Sequence, residues 1–366
     1  MKDRLTSALT ALETMLPDAV SWDALSEGVG SDEASGSSVR VGLWACPLEV
    51  AQLVKRFAPA AYLAPRTDSR TDFNRFAMVG LEAQSLRPDV AELVEQKTHA
   101  PRDQAAIIFP VSSKSLTLGL VAAAVEMTEA GAPVLMAGTK DQGMDSVAKR
   151  LRELGLSVEK RSKAHAVALQ FSASHGQMSH WIEECRPSHF LDENGRKWST
   201  CPGVFSHGRI DRGSRVLRDH MPALSGAVAD FGAGWGALAP SILGAGADEV
   251  CLHEASAMAC ELARDNLQLE GDQVSASWCD LEAEGVNQTF NHVVMNPPFH
   301  SGKLTRSSLG GAFIKRAHEA LKPGGSLTLV ANVHLGYEHV LSDLFGQSEQ
   351  LARQDGFKVL RAVRKR

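Results

Sequence analysis

Short apolar runs typical of β-strands alternate with segments of helical periodicity along most of this 366-residue chain. The alternation begins near residue 41, fades after residue 172 and resumes near residue 201. Strands that alternate with helices form parallel sheets with helical crossovers, and roughly 150 residues are typical of one domain. The pattern therefore predicts an α/β protein with two tandem Rossmann-like domains.

The two series share an order of features that indicates an internal duplication. Residues 105–151 and residues 292–345 both run strand, proline exit, lysine, helix, glycine turn, strand and helix. The first half keeps only Pro110 at its strand exit and has no glycine-rich strand exit upstream of it. We therefore expect one working domain and one silent relative, with chance similarity between two α/β domains as the alternative.

The domain boundary is predicted where the regular pattern is lost. Between residues 173 and 200 the strand and helix periodicity gives way to polar residues, histidine and tryptophan. We place a first domain at residues 1–172, a linker at 173–200 and a second domain at 201–366.

Composition excludes several classes of protein. The sequence is 44% hydrophobic and 22% charged, has no apolar run of the roughly 18 residues that a membrane span needs, and lacks a signal-peptide pattern. Its six cysteines form no CxxC pair and its thirteen histidines no HExxH set. We expect a cytoplasmic protein with reduced thiols, no membrane contact and no metal.

The net charge of −5 argues against nonspecific coating of nucleic acid. It leaves room for a local basic surface that meets one structured RNA. Basic clusters at residues 160–163 and 361–366 are candidates, although solvated charge at a helix end and a tail is the simpler explanation of both.

The strongest chemical signal is the exit of the strand read at residues 292–295. It runs into Asn296, Pro297, Pro298 and Phe299. Two prolines remove two backbone donors, so this stiff loop offers acceptors without donors, and the aromatic ring can cover a flat ligand. The set suits a planar group that carries an NH2, although an ordinary turn has the same proline pattern.

A glycine-rich turn upstream predicts a cofactor site. A strand ends in Asp230 and is followed by Gly232, Gly234 and Gly236. Glycines let the backbone approach a ligand closely, but this spacing departs from the GxGxxG of dinucleotide sites. It suits a cofactor whose amino acid moiety lies over the turn, with Asp230 holding a cationic amino group or an ordered water. A tight turn with a solvated aspartate is the alternative.

Two further acids follow at the ends of later strands. Glu254 lies about 20 residues past the glycine turn, where a carboxylate can accept both hydroxyls of a ribose. Asp280 ends the next strand and can accept from the exocyclic amine of an adenine, with Leu281 giving apolar contact. Parallel strands bring all these ends to one crevice.

These residues carry a resemblance to a known family. The second half resembles the class I methyltransferases that use S-adenosylmethionine, and the whole chain resembles the bacterial two-domain ribosomal RNA guanine-N2 methyltransferases of the small-subunit type. The matching stretches are "CPGVFSHGRIDRGSRVL" (201–217), "DFGAGWG" (230–236), "NPPFHSG" (296–302), "LVANVHLGYEHVL" (329–341) and "FKVLRA" (357–362). Trp235 departs from the pattern, because relatives usually have Cys or Ser before the last glycine.

The resemblance implies roles for particular positions. The first domain would be a degenerate methyltransferase fold that helps to recognise RNA, and the second would bind S-adenosylmethionine, with Phe205 near the methionine end. Asn296 and the Pro297 carbonyl would accept the two hydrogens of a guanine N2 amine, Pro298 belongs to the same stiff loop, and Phe299 would stack on the base. The implied product is N2-methylguanine in 16S ribosomal RNA, made by a monomer acting on the assembled small subunit.

Other substrates present the same planar NH2. Similar tetrads occur in guanine-N2 methyltransferases of 23S ribosomal RNA, in adenine-N6 methyltransferases and in enzymes that methylate a release-factor glutamine. A noncatalytic ribosome assembly factor with the same fold is an alternative from another class. The intact acids Asp230, Glu254 and Asp280 beside Asn296 argue against it, since a silent copy tends to lose them.

Overall fold

A computed structural model describes residues 2–19, 40–57, 62–68, 70, 72, 83–86, 89, 91, 94, 102–163, 165–298 and 306–366. The chain divides into two compact units. Unit 1 comprises Met1–Pro187 with Cys201–Gly203, and unit 2 comprises Ser188–Thr200 with Val204–Arg366.

Unit 1 is an α/β unit built around one seven-stranded sheet. Among the described residues its α-helices and strands, in chain order, are α1 (Lys2–Ala19), β1 (Arg40–Trp44), α2 (Leu48–Phe57), β2 (Tyr62–Thr67), β3 (Gln84–Ser85), β4 (Ala105–Ile108), α3 (Lys114–Met127), β5 (Pro133–Thr139), α4 (Met144–Glu153), β6 (Glu159–Lys163), β7 (Ala166–Ser172) and α5 (Ser179–Glu183). The strands lie in the order β3-β2-β1-β4-β5-β7-β6, with β7 antiparallel to both of its neighbours.

Unit 2 has a hairpin followed by a second seven-stranded sheet. Its helices and strands, in chain order, are β8 (Ser188–Leu191), β9 (Lys197–Thr200), α6 (Arg212–Asp219), β10 (Ala227–Phe231), α7 (Ala239–Gly244), β11 (Glu249–Glu254), α8 (Ala257–Asn266), β12 (Val274–Trp278), β13 (Phe290–Met295), α9 (Arg306–Ala320), β14 (Leu321–Asn332), α10 (Tyr337–Phe345), β15 (Ser348–Gln354) and β16 (Phe357–Val363). The strand order is β12-β11-β10-β13-β14-β16-β15.

The two sheets have the same topology. In each, five parallel strands are followed by a hairpin whose second strand inserts antiparallel beside the fifth. The predicted α/β fold with two tandem Rossmann-like domains is confirmed. The final hairpin of each sheet was not predicted in full, because β6 and β15 are mostly exposed and carry no continuous apolar run.

The predicted linker contains regular structure. It includes α5 and the hairpin β8–β9, which pairs Ser188 with Thr200 and belongs to unit 2. The hairpin loop is closed by Asp192, whose carboxylate accepts from the backbone N–H of Asn194 and of Arg196 at 2.9 Å and from Trp198 Nε1 at 3.0 Å. Unit 2 therefore starts before residue 201, and the assignment of functions to residues 1–172 and 201–366 stays a prediction.

Helices α9 and α10 of unit 2 meet at a glycine. Tyr337, at the start of α10, is fully buried, and a Cβ added to Gly310 of α9 would lie 1.9 Å from its hydroxyl. The next residue, Gly311, has no atom within 4 Å of the same position. Only a residue without a side chain at 310 lets α9, which follows the Asn296 loop, pack this closely.

Gly310→Ala is therefore expected to lower the free energy of unfolding by about 1–3 kcal/mol, because the new methyl group overlaps a buried ring. Gly311→Ala is the matched control and is expected to raise it by about 0.5–1 kcal/mol, since alanine favours a helix interior. Urea unfolding of both variants measures the difference. Equal effects of the two substitutions would contradict this packing.

Candidate functional site

Asp230 is a buried carboxyl group with unsatisfied oxygens. Its side chain is 0% exposed at the end of β10, and neither oxygen has a hydrogen-bond partner among the described residues. Burial, and secondarily the negative charge of Glu254, raises the pKa of Asp230 to about 8. A group this costly to bury is expected where a ligand completes its interactions.

Glu254 holds the glycine turn in place. Its two carboxylate oxygens accept from the backbone N–H of Gly234 and of Ser256, each at 2.8 Å. Strand register places Phe231 opposite His253, so Glu254 follows directly beside the turn. The carboxylate thus spans the ends of β10 and β11.

The glycines of the turn serve two purposes. Gly232, Gly234 and Gly236 all have positive φ, at 74°, 57° and 89°. A Cβ at Gly234 would meet nothing within 4 Å, so the backbone is open to a ligand there. A Cβ at Gly236 would lie 2.6 Å from Leu267, so this glycine permits close packing behind the turn.

Asp280 and Leu281 follow β12 at the same edge of the sheet. Asp280 is 8% exposed, and its Oδ1 accepts from the backbone N–H of Glu282 at 3.0 Å and of Ala283 at 3.2 Å. Leu281 packs into the hydrophobic core of unit 2. The carboxylate thus shapes its own turn, and the predicted adenine contacts of both residues stay predictions.

The Asn296 side chain has a fixed orientation. Its Nδ2 donates to Asp211 Oδ2 at 3.1 Å and to Ser214 Oγ at 2.9 Å. A carboxylate can only accept, so the amide nitrogen must face Asp211 and the amide oxygen must point the other way. That oxygen is buried and has no partner among the described residues. It is an acceptor in want of a donor.

Asp211 and Ser214 were not found by sequence reasoning. Asp211 is the N-cap of α6 and accepts from the Ser214 backbone N–H at 3.1 Å, a local pattern that the sequence does contain. What the sequence does not contain is a sign that this cap meets Asn296, which lies 85 residues further along the chain.

Trp235 attaches the glycine turn to the segment around Phe205. Its indole Nε1 donates to the Phe205 carbonyl at 2.9 Å, and its ring packs edge-on against Trp198 and Phe190 of the hairpin. Trp235 is 3% exposed, whereas the Phe205 side chain is 58% exposed. The departure from the family pattern therefore fills the space between the turn and the hairpin.

The rest of the predicted loop is described in part. Asn296 follows Met295, which is paired with Phe231, so the loop begins beside the glycine turn. Pro297 is buried and Pro298 is exposed. Phe299 lies outside the described residues.

Unit 1 lacks this set of polar residues. Matching Trp44 of β1 to Phe231 of β10 aligns both neighbouring strands. The Ala45 N–H donates to the Arg66 carbonyl at 2.9 Å, as the Gly232 N–H donates to the His253 carbonyl in unit 2. Ala45 also has a positive φ, 51°, as Gly232 does. The aligned residues are Leu43 for Asp230, Thr67 for Glu254 and Phe109 for Asn296. Unit 1 keeps the turn and has no carboxylate or amide at these three positions.

The edge of unit 2 suits the expected cofactor. S-adenosylmethionine carries cationic groups, and Asp230 and Glu254 are close enough for one charge to raise the pKa of the other. A cation would relieve that repulsion and give the Asp230 oxygens partners. In the described part of the chain, no group of three or more His, Cys, Asp or Glu side chains is arranged to hold a metal ion. None of the described helices is long and apolar enough to cross a bilayer.

Comparisons with known proteins relate this chain to methyltransferases. The family model described as "Methyltransferase small domain" matches residues 196–361. The ribosomal RNA small subunit methyltransferase C of Pseudomonas syringae pv. syringae is 32% identical over 268 residues, which cover 71% of this chain and 79% of that protein. The protein of the same name from Aeromonas hydrophila is 29% identical over 305 residues, 81% of this chain and 88% of its own.

A solved structure shares the fold over nearly the whole chain. It is the T. thermophilus 16S rRNA N2 methyltransferase RsmC in complex with AdoMet and guanosine. The TM-score is 0.75 at 24% sequence identity, and the match covers 94% of this chain and 91% of the other.

The buried carboxyl at 230 leads to a prediction about stability. With a folded-state pKa of about 8 against an ordinary 3.8, the folded protein binds more protons than the unfolded chain between about pH 4 and 8. The Asp230 contribution to the free energy of unfolding therefore falls as the pH rises through that window. Asp230→Asn is expected to raise this free energy by on the order of 1–4 kcal/mol at pH 8 and little at pH 4.

Urea unfolding without cofactor at both pH values measures this effect. Asp272→Asn, which changes an exposed carboxyl of the same unit, is the control and should show no such dependence on pH. Calorimetry should show that Asp230→Asn also weakens cofactor binding. A stability difference that does not change with pH would mean that Asp230 is not held protonated in the free protein.

Proposed function

Since the chain belongs to the ribosomal RNA small subunit methyltransferase C family, we propose that it transfers a methyl group from S-adenosylmethionine to the exocyclic N2 amine of a guanine in 16S ribosomal RNA. The observation that carries this proposal is the buried, unpartnered Oδ1 of Asn296. Its orientation is imposed by the Asp211 carboxylate, which holds the amide nitrogen.

The cofactor is proposed to lie over the carboxyl edge of the unit 2 sheet. Glu254 supplies negative charge, the Asp230 carboxyl would ionise beside a cationic group, and the open backbone at Gly234 allows close approach. The residues that would hold the cofactor are Phe205, Asp230, Gly232, Gly234, Gly236, Glu254, Asp280, Leu281 and Asn296. S-adenosylmethionine supplies an activated methyl group when bound.

Asn296 is proposed to position the amine of the base. The guanine NH2 carries two hydrogens, and Asn296 Oδ1 accepts one while the Pro297 carbonyl accepts the other. These two hydrogen bonds fix the direction of the nitrogen lone pair. Rate enhancement then comes mainly from orientation in a site that excludes water.

No strong base is needed at this position. The methylated amine loses its extra proton readily to water, and no histidine or carboxylate has to accept it during the transfer. Asp211 stays an acceptor for Asn296 throughout, so it contributes by position and does not take a proton from the substrate.

The remaining features of the substrate follow from its chemistry. A guanine amine inside a paired helix is inaccessible, so the target nucleotide must be unpaired or flipped out. We propose Phe299 as the stacking partner of the base and unit 1 as a guide for RNA. We further propose a cytoplasmic monomer that acts on the assembled small subunit without a metal ion.

Removal of the Asn296 amide tests its proposed role in positioning the guanine amine. Asn296→Ala is expected to leave the cofactor Kd within a few fold and to reduce kcat by roughly 10²–10³, the loss typical of one oriented hydrogen-bonding group. Asp211→Ser keeps an N-cap for α6 but loses the carboxylate, so kcat should fall roughly tenfold or more at a nearly unchanged KM.

Ser113→Ala is a control for loss of a cap, because Ser113 caps α3 of unit 1 through the Leu116 N–H at 3.2 Å. It should cost about 1 kcal/mol of stability and leave kcat intact. If Asp211→Ser retained the wild-type kcat, the fixed amide would not matter to the reaction.

The substrate is tested directly by transfer from labelled S-adenosylmethionine. Small subunits, large subunits, naked ribosomal RNA and release factor are assayed in parallel, and the modified product is identified after digestion. The expected result is N2-methylguanosine from small subunits alone. Label in large subunits or on glutamine would overturn the proposed substrate, and no label in the presence of bound cofactor would favour an assembly factor.

A further inference from the structure

A cavity in unit 2 lies close to the Asn296 site. Its volume is about 680 Å³, within the range of small-molecule and nucleotide sites. One wall is the loop and strand of the hairpin, from Phe190 to Asn194. The other wall is the segment from Gly208 into α6, which includes Arg209 and Arg215.

The acidic residues around this cavity are already satisfied. Glu193 forms an ion pair with Arg218, which also lies 3.9 Å from Asp219. Asp192 closes the hairpin loop by accepting from two backbone N–H groups and from Trp198. The Glu193–Arg218 ion pair therefore joins the two walls. Because these carboxylates already have partners, they do not neutralise the charge of Arg209 and Arg215.

Arg209 and Arg215 carry the available positive charge. Both are exposed, both line the cavity, and neither has an ion pair or side-chain hydrogen bond within the part of the chain that the structure describes. Arg212 is exposed on the same face of α6, one turn before Arg215, while the opposite face is buried. One arginine guanidinium group can donate two parallel hydrogen bonds to the oxygens of a phosphate.

Two apolar residues line the cavity together with these arginines. Leu191 is 67% exposed, an unusual value for a large hydrophobic residue. Phe190 is half-buried and packs against the Trp235 ring at 5.8 Å. Apolar residues and guanidinium groups in one lining suit a nucleotide of single-stranded RNA, which has an apolar base face and an anionic phosphate.

The cavity is close to the proposed target base. Arg209 lies two residues before Asp211, so their Cα atoms are at most about 7.6 Å apart. Asp211 contacts Asn296 directly at 3.1 Å. Arg209 is therefore near enough to Asn296 for a nucleotide adjacent to the target base to reach it.

We propose that this cavity binds a single-stranded RNA nucleotide adjacent to the methylated guanine. Arg209 and Arg215 hold its phosphates, and Leu191 and Phe190 contact its base. The proposal rests on the proposed function for the identity of the substrate, and it adds a subsite that selects an unpaired neighbour of the target.

The test measures RNA binding by the full chain. The probe is a fluorescently labelled single-stranded RNA oligonucleotide that contains guanine, and its Kd is read by anisotropy at several salt concentrations. Arg209→Gln/Arg215→Gln is expected to weaken binding about tenfold at low salt and to reduce the slope of log K against log salt by about 1.4, as loss of two phosphate contacts requires.

Three comparison variants distinguish the position of the charge, the presence of the charge and the contact with the base. Lys322→Gln changes an exposed lysine near the start of β14, at the opposite edge of the sheet, and should leave the slope unchanged. Arg209→Lys/Arg215→Lys keeps the charge and should restore the slope. Leu191→Ser should weaken binding roughly threefold or more without changing the slope.

Unchanged cofactor affinity, measured by calorimetry, shows that each variant is folded. A wild-type salt slope in Arg209→Gln/Arg215→Gln would overturn the proposal, as would an equal loss in Lys322→Gln. Failure of the proposed function is a separate result, because it would appear as absence of methylguanosine with the wild-type chain, while the binding assay still reports on the cavity.

Discussion

The hydrogen bond from the Asn296 amide to the Asp211 carboxylate determines what the end of β13 can do. Without it the amide could turn either its oxygen or its nitrogen toward a ligand, since the two ends have similar shapes. The acceptor-only carboxylate removes this choice. It also caps α6, so the same carboxylate positions the Asn296 side chain and the helix that forms one wall of the arginine-lined cavity.

Local patterns in the sequence predicted much of the fold and part of the site. The parallel strands, the glycine turn and the proline exit all depend on a few consecutive residues, and the structure has them at the predicted places. Asp211 escaped prediction because its contact with Asn296 spans 85 residues, and the hairpin β8–β9 escaped because Trp198 packs against Trp235, which lies far along the chain. Sequence patterns report periodicity, whereas these contacts depend on tertiary packing.

The two units show what the site costs the fold. Both have the same strand order, yet the position of Asp230 is taken in unit 1 by Leu43, which is fully buried and apolar. Burial raises the pKa of the Asp230 carboxyl group to about 8, so this residue destabilises the fold unless a ligand interacts with it. Unit 1 has the same architecture without this buried carboxyl group.

The hairpin β8–β9 has a practical consequence for anyone who shortens this protein. A fragment that starts at residue 201 would omit Phe190 and Trp198, the aromatic partners of Trp235. The indole would then be open to solvent next to the glycine turn, and newly exposed aromatic surface of this kind promotes aggregation. Poor yield of such a fragment would reflect a misplaced cut, and a boundary at or before residue 188 keeps the aromatic cluster whole.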